Sequence, residues 1–311
     1  MPTTTDLRIK QLSYSSRLPL HSCPRKYQLY KLNSKLNQDA DSGSSVTFAF
    51  GHVVGLGIQN TLEELPENQV YFNSFLKWEP DLLDCNPKQN KSFWIALAAI
   101  QRFIAMRSNG LLRGYKLAQY NKKPATELSF IINFPEGFTY KGFVDAVLVH
   151  ESTGEVMVLE AKTTANNNVN PAMYKNSTQA IGYSIVLDVM FPSLSSYKVA
   201  YLIYKTKQTE YELMEFEKDY LVRALWIREI LLDIESIKMF ESASVYPMHG
   251  ESCYSFYREC EYFNLCTLST AALSTPITEA DSNAMKLKNS EDFQINLGLH
   301  DLIIAQLDKE I

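Results

Sequence analysis

The chain has 311 residues, 46% of them hydrophobic, 12% aromatic and 21% charged, which is the balance of a globular protein with a sizeable core. Its formal net charge of −5 and pI of about 5.6 argue against a non-specific nucleic-acid coat protein, which would be basic, but leave room for a local cationic groove. There is no apolar run of membrane-spanning length and no signal-type stretch in MPTTTDLRIKQLSYSS, so a cytoplasmic protein is expected, in which clustered cysteines serve metal or redox chemistry rather than disulfides.

In chain order, residues 12–35 read as a short turn and then a helix, with Ser22 as its cap and Pro24 in its first turn, where a missing N–H is harmless. Residues 36–45 are polar and read as a loop. Residues 46–65 form a helix despite Gly51, Gly55 and Gly57, which close backbone packing would explain. Residues 66–90 read as irregular, and SFWIALAAIQRFIAMR (92–107) as an apolar core helix. Residues 125–134, 140–150 and 155–164 are rich in β-branched and aromatic residues and separated by turn signals, so three consecutive strands are expected. A helix over 171–190 follows, then strands at 196–206 and 210–217. A long amphipathic helix over 216–239 offers Leu221, Leu225, Ile227, Ile230, Leu231 and Ile234 to its buried face. Residues 267–290 are Ser/Thr-rich and expected to be mobile, with a short helix at 299–310. There are no internal repeats, and no G-x-x-x-x-G-K-[ST] stretch that would mark a P-loop motor.

The chemistry is concentrated in the middle strands. Asp145 lies in GFVDAV, and Glu160 and Lys162 lie in VLEAKTT. Residues i and i+2 share a strand face, so Glu160 and Lys162 project together, with Ala161 turned away. A hairpin of 140–150 with 155–164 brings Asp145 beside Glu160. Two carboxylates and an ammonium then converge in an apolar sheet, where charges are costly without a partner. That set suits hydrolysis of a phosphodiester. Asp145, Glu160 and a backbone carbonyl near Ala161 are candidate ligands of Mg²⁺ or Mn²⁺, which prefer oxygen, and Lys162 orients water or stabilises charge on the phosphate. By chance alone, a Glu/Lys pair on one strand face is most often solvated surface.

GFVDAV followed by VLEAKTT resembles the PD-(D/E)XK nuclease superfamily, in particular its RecB-like branch with G-x-x-D and then E-x-K-T. Gln179-Ala180-Ile181-Gly182-Tyr183 matches that branch's Q-x-x-x-Y, whose two ends share a helix face. The resemblance implies a restriction-endonuclease-like α/β fold, a mixed sheet flanked by helices, with Gln179 and Tyr183 beside the active site. It departs from the pattern at F-G-x-x-x-H, where Phe50-Gly51-His52-Val53-Val54-Gly55 puts glycine at the expected metal-binding histidine; His52, one turn away, is the candidate substitute. Glu127, on the strand before Asp145, is another residue that can approach the site.

Cys253, Cys260 and Cys266 fall within ESCYSFYRECEYFNLC, and Cys23 within SCPRKYQLYKL. This layout is similar to the iron–sulfur members of the superfamily, AddB-type nucleases and the CRISPR-associated iron–sulfur exonucleases, in which one cysteine precedes the nuclease core and three follow it. The resemblance implies a structural 4Fe-4S cluster on Cys23, Cys253, Cys260 and Cys266. The spacing C-x6-C-x5-C departs from the usual C-x2-C-x5-C, and four thiolates also suit Zn²⁺. Cys85 stands apart as a free thiol. Arg25, Lys26, Lys175, Tyr254, Phe256, Tyr257 and Arg258 are candidates to track a DNA strand.

The expected organisation is one nuclease domain over 1–266 (helical part 12–110, core 111–240, cysteine segment 241–266) and a tail over 267–311. The expected function is that of a metal-dependent DNA exonuclease acting on single-stranded ends, alone or beside a separate helicase or recombination protein, with no membrane partner. The rival expectations are a non-catalytic DNA-binding scaffold that keeps the fold and a zinc-stabilised interaction module.

Overall fold

The computed structural model describes residues 7–32, 46–78, 91–192, 194, 196–255, 258–266 and 293–295. The loop at 36–45, Cys85, Phe256 and Tyr257, the Ser/Thr-rich stretch and the closing helix all lie outside the described residues. The helices are α1 (Tyr14–Ser22), α2 (Pro24–Leu32), α3 (Val46–Leu62), α4 (Glu67–Lys77), α5 (Phe93–Ser108), α6 (Pro171–Lys175), α7 (Thr178–Met190) and α8 (Tyr220–Ala243). The strands are β1 (Gln11–Ser13), β2 (Tyr115–Leu117), β3 (Gln119–Tyr120), β4 (Lys123–Pro124), β5 (Thr126–Asn133), β6 (Thr139–His150), β7 (Val156–Thr164), β8 (Ser196–Lys205), β9 (Glu210–Asp219), β10 (Tyr254–Ser255), β11 (Arg258–Glu259) and β12 (Phe293–Ile295). The chain divides into two compact units, Gly43–Leu128 with Phe143–Val222, and Met1–Ser42 with Ser129–Gly142 and Arg223–Ile311.

The first of these units is built on a mixed sheet. β6 and β7 form the expected antiparallel hairpin, β7 pairs in parallel with β8, and β8 pairs antiparallel with β9. β7 is apolar at its start because it is covered on both faces: Val156, Met157, Val158 and Leu159 are all buried. Met157 and Leu159 pack with Phe50, Val53, Val54 and Ile58 of α3 and Ile100 and Phe103 of α5 in one core. On the other face, Tyr183 of α7 reaches Glu160 of β7, and Tyr197 of β8 donates to the Ala180 carbonyl. A mixed sheet with helices on both faces is the α/β architecture read from the sequence.

Of the three glycines in α3, only Gly57 is demanded by packing. A Cβ there would lie 2.4 Å from Ile100, which is fully buried, whereas at Gly55 there is open space. Gly57→Ala is therefore expected to lose more from overpacking, about 1–3 kcal/mol, than the ~1 kcal/mol it gains in helix propensity. Gly55→Ala is expected to keep that gain. Urea denaturation midpoints of the two variants, moving in opposite directions from wild type, check this.

In the other unit, β1 pairs in parallel with the start of β6, and α1, α2 and α8 supply most of the buried surface. The turn expected before Ser22 is in fact helix α1, nucleated by a capping box in which Ser13 and Ser16 satisfy each other's backbone N–H. Its Ser/Pro composition hid a helix that its cap and its contacts stabilise: buried Arg17 pairs with Asp233 of α8, and His21 bonds the same carboxylate at 2.8 Å. The buried face of α8 also corrects the expectation. Trp226, Ile227, Ile230, Ile234 and Ile237 are buried, and Leu221 and Leu225 are exposed. Trp226 sets the face by packing edge-on against Tyr140 at 5.0 Å, and Leu221 and Leu225 fall outside that stripe. Two further expectations change. Residues 67–77, read as irregular, form α4, which buries only Val70 and Ser74, too sparse a stripe to show as a period. The helix over 171–190 breaks at Asn176–Ser177 into α6 and α7.

Candidate active site

The site is built where β6 and β7 part. Their ladder runs from Val149–Val156 to Ala146–Leu159 and stops there, while β7 continues paired with β8 to Thr164. The amides of β7 beyond Leu159 thus lose their partners on the β6 side. Asp145, the next residue on β6, supplies one: its Oδ2 accepts the Ala161 N–H at 2.9 Å. The forked strands hold Asp145 and Glu160 side by side, as the hairpin implied.

Glu160 is 1% exposed, at the end of the apolar run. Both of its oxygens are used. Oε1 accepts from Lys162 Nζ at 2.5 Å and Oε2 from the Tyr183 hydroxyl at 2.8 Å. Lys162 Nζ also donates to Gln179 Oε1 at 3.2 Å. The two ends of the Q-x-x-x-Y face therefore grip the two ends of E-x-K. Tyr183 fixes the carboxylate and Gln179 fixes the ammonium, which remains partly exposed (36% of its side chain). All five sequence-picked residues, Asp145, Glu160, Lys162, Gln179 and Tyr183, come together within one unit.

Electrostatics leave the centre short of positive charge. Burial pushes the Asp145 carboxyl well above the usual carboxylate range, with Glu160 and then Glu127 adding to the rise; the Ala161 amide and Lys162 act against it. A carboxylate pair with one ammonium between them has unspent negative charge, and its hard oxygen donors fit a divalent cation such as Mg²⁺ or Mn²⁺. Asp145, Glu160 and the Ala161 carbonyl are the groups that would hold it. His52 does not join them: it is exposed on α3, and the cavity beside Asp145 is lined from that helix by Gly55, Ile58, Gln59 and Leu62. Glu127 of β5 lines the same cavity. The sequence named Glu127 but carried no signal for Gln59, which hydrogen-bonds Thr126, the residue before it.

The four cysteines lie in the other unit, on two segments joined by hydrogen bonds. The α1–α2 junction at Cys23 is tied to the late segment by Arg25 N–H to the Pro247 carbonyl at 3.0 Å and Ser252 Oγ to the Ser22 carbonyl at 2.7 Å. Arg25 Nε donates to the Cys266 carbonyl at 3.1 Å, and the Cys260 N–H to the Cys253 carbonyl at 2.8 Å. Burial raises the Cys266 thiol, Cys260, Cys23 and Cys253 add to the rise, and Arg25 opposes it. Leu29 and Tyr262 pack against Cys260 and Cys266. Cysteine thiolates are soft donors of the kind that iron–sulfur clusters and zinc take. Among the described residues, no three His, Cys, Asp or Glu side chains are positioned to hold an ion.

A mixed sheet forked around paired carboxylates, with a lysine two residues beyond the second, is the arrangement that the G-x-x-D and E-x-K motifs imply. The chain belongs to the PD-(D/E)XK nuclease superfamily, whose sequence model matches residues 11–267. No curated protein matches it significantly. Among solved structures it is similar to a protein from Eubacterium rectale provisionally named an exonuclease, at 12% identity and a TM-score of 0.49, over 89% of this chain and 94% of that one. It is also similar to SSO0001, at 13% identity and a TM-score of 0.32, over 74% and 76% of the two chains. No helix among the described residues is long and apolar enough to cross a membrane.

Proposed function

We propose that the protein is a metal-dependent DNA exonuclease of the RecB-like branch, acting on single-stranded ends in DNA replication, recombination or degradation. The observation that carries this reading is the pairing of buried Glu160 with partly exposed Lys162, clamped by Tyr183 and Gln179, across the strand fork from Asp145. A Mg²⁺ or Mn²⁺ ion at Asp145, Glu160 and the Ala161 carbonyl would supply Lewis acidity to the phosphate and acidify a water. The chain's own groups do the rest. Glu160, locked by two hydrogen bonds, presents a fixed carboxylate. Lys162 carries its ammonium at the rim, where it orients an attacking water and offsets charge gathering on the phosphate. Gln179 keeps that ammonium from collapsing wholly onto Glu160. The preference for ends and for single strands follows from the motif resemblance.

We also propose that Cys23, Cys253, Cys260 and Cys266 hold a structural 4Fe-4S cluster, supported by the motif resemblance and by the hydrogen bonds that tie the α1–α2 junction to the late cysteine segment. In this reading the chain works alone or beside a separate helicase or recombination protein.

The test is degradation of end-labelled single- and double-stranded DNA, beside closed circular DNA, with Mn²⁺ or Mg²⁺ and with EDTA. Metal-dependent loss of linear single strands, sparing circles, is the expected result. DNA binding without cleavage, in protein whose iron content shows the cluster filled, would move the assignment to a scaffold.

A further inference from the structure

Gly55 stands in the middle of α3, where a glycine costs about 1 kcal/mol against alanine. Packing does not account for it, since a Cβ there would meet no atom within 4 Å. The space it leaves open adjoins the candidate active site: Gly55 lines the cavity that Asp145 and Ala161 also line. Phe48, His52, Gly55 and Gln59 follow one another at steps of four, three and four residues, so they share one face of α3. That face begins with Phe48, 61% exposed, and exposed His52, and it ends at the cavity, which Gln59 lines.

The start of this face lies at the catalytic end of the sheet. A Cβ at Gly51 would sit 3.8 Å from Thr163 Oγ1, so the early turns of α3 pass beside the residue that follows Lys162 on β7. A cation stands there too. Lys91 Nζ donates to the hydroxyl of Thr47, the residue before Phe48, at 3.3 Å. Partial burial pulls the Lys91 ammonium below the usual lysine range, and no carboxylate among the described residues offsets the pull. An exposed ring, an ammonium without an anion and a helix face bare of a side chain thus run in series toward Asp145. Each suits one part of a nucleic-acid strand: a base stacks on the ring, a phosphate meets the cation, and glycine lets a sugar–phosphate backbone lie close. A base paired and stacked inside a duplex has no free face to offer Phe48, so the strand is single.

We propose that the face of α3 from Phe48 to Gly55, with Lys91 beside its start, is the track along which a single strand of nucleic acid reaches Asp145. This rests on the reading of Asp145, Glu160 and Lys162 as a nuclease centre; the track and its residues are new. Gly55 is then kept for clearance of the substrate, at the expense of helix stability.

The experiment is fluorescence anisotropy of labelled oligothymidylate with the full chain in EDTA, for wild type, Phe48→Ala, Phe48→Tyr, Lys91→Gln and Gly55→Leu. Phe48→Ala is expected to weaken binding about fivefold or more, and Phe48→Tyr, which keeps a stacking face, to bind like wild type. Lys91→Gln is expected to flatten the slope of log affinity against log salt by about 0.7, the loss of one phosphate contact on a single strand. Gly55→Leu is expected to weaken binding about tenfold while its melting temperature stays at or above wild type, because leucine favours the helix. Wild-type affinity in both Phe48→Ala and Gly55→Leu, in protein that still degrades single strands with Mn²⁺, overturns the track alone. A wild type that neither binds nor degrades single strands overturns the nuclease reading and the track with it. Loss of self-association in Phe48→Ala with oligothymidylate binding intact, read by sedimentation, assigns the face to a second copy of the chain and also overturns the proposal.

Discussion

Asp145→Asn is expected to lower metal-dependent DNA cleavage about a thousandfold or more, while making the metal-free protein more stable. The two effects share one cause. Asp145 is half-buried beside Glu160, and burial and that neighbour hold its pKa well above 3.8. In EDTA the folded protein therefore binds the Asp145 proton more tightly than the unfolded chain does. The contribution of Asp145 to stability is greatest at low pH and falls as pH rises from about 3.8 through the raised folded value. Asparagine carries no charge at any pH in that window, so the variant loses this decline. It also keeps an oxygen for the Ala161 N–H. Thermal melts of wild type and variant in EDTA, at several pH values, should converge at the acid end and separate toward neutrality, with the variant higher. A variant that melts lower at neutral pH would show that the carboxylate is structural, and the site reading would fail.

Cys23→Ser is expected to produce the largest loss of stability. Cys23 lies at the break between α1 and α2, and its neighbours already bond Pro247, Ser252 and Cys266. A cluster joining it to Cys253, Cys260 and Cys266 closes a loop spanning most of the chain. By the chain-entropy argument used for cross-links, such closure is worth about 5 kcal/mol, or on the order of 15 °C in melting temperature for a unit of this size. Iron content and visible absorbance should fall together with the melting temperature. Wild-type protein with stoichiometric zinc and no colour would assign the site to zinc; unchanged stability and metal content in the variant would remove Cys23 from it.

The parts of the centre governed by local periodicity were legible. Glu160 and Lys162 share a face because strands alternate, and Gln179 and Tyr183 share one because helices repeat every 3.6 residues. The hairpin that joins Asp145 to Glu160 followed from two strand-like runs and a short turn. What was hidden depends on where pairing stops. No composition signal says that the β6–β7 ladder ends at Ala146–Leu159, yet that ending frees the Ala161 amide for Asp145. The left-handed backbone at Glu127 was equally hidden, since glutamate advertises no such conformation. In α8 the apolar residues outnumber those that one face can bury. Only the docking of Trp226 on Tyr140 decides that Leu221 and Leu225 stay outside.

The tie between the α1–α2 junction and the late segment has a consequence for synthesis. Cys23 and Pro247 are 224 residues apart. At about 5–20 residues per second, a ribosome needs roughly 11–45 s to make the intervening chain. For most of that interval the first helices lack α8 and the late cysteine segment, whereas α3, α5 and the strands from β6 to β9 can already assemble. Newly made protein is thus most exposed to proteases and chaperones at α1 and α2, which are the last of these helices to be locked.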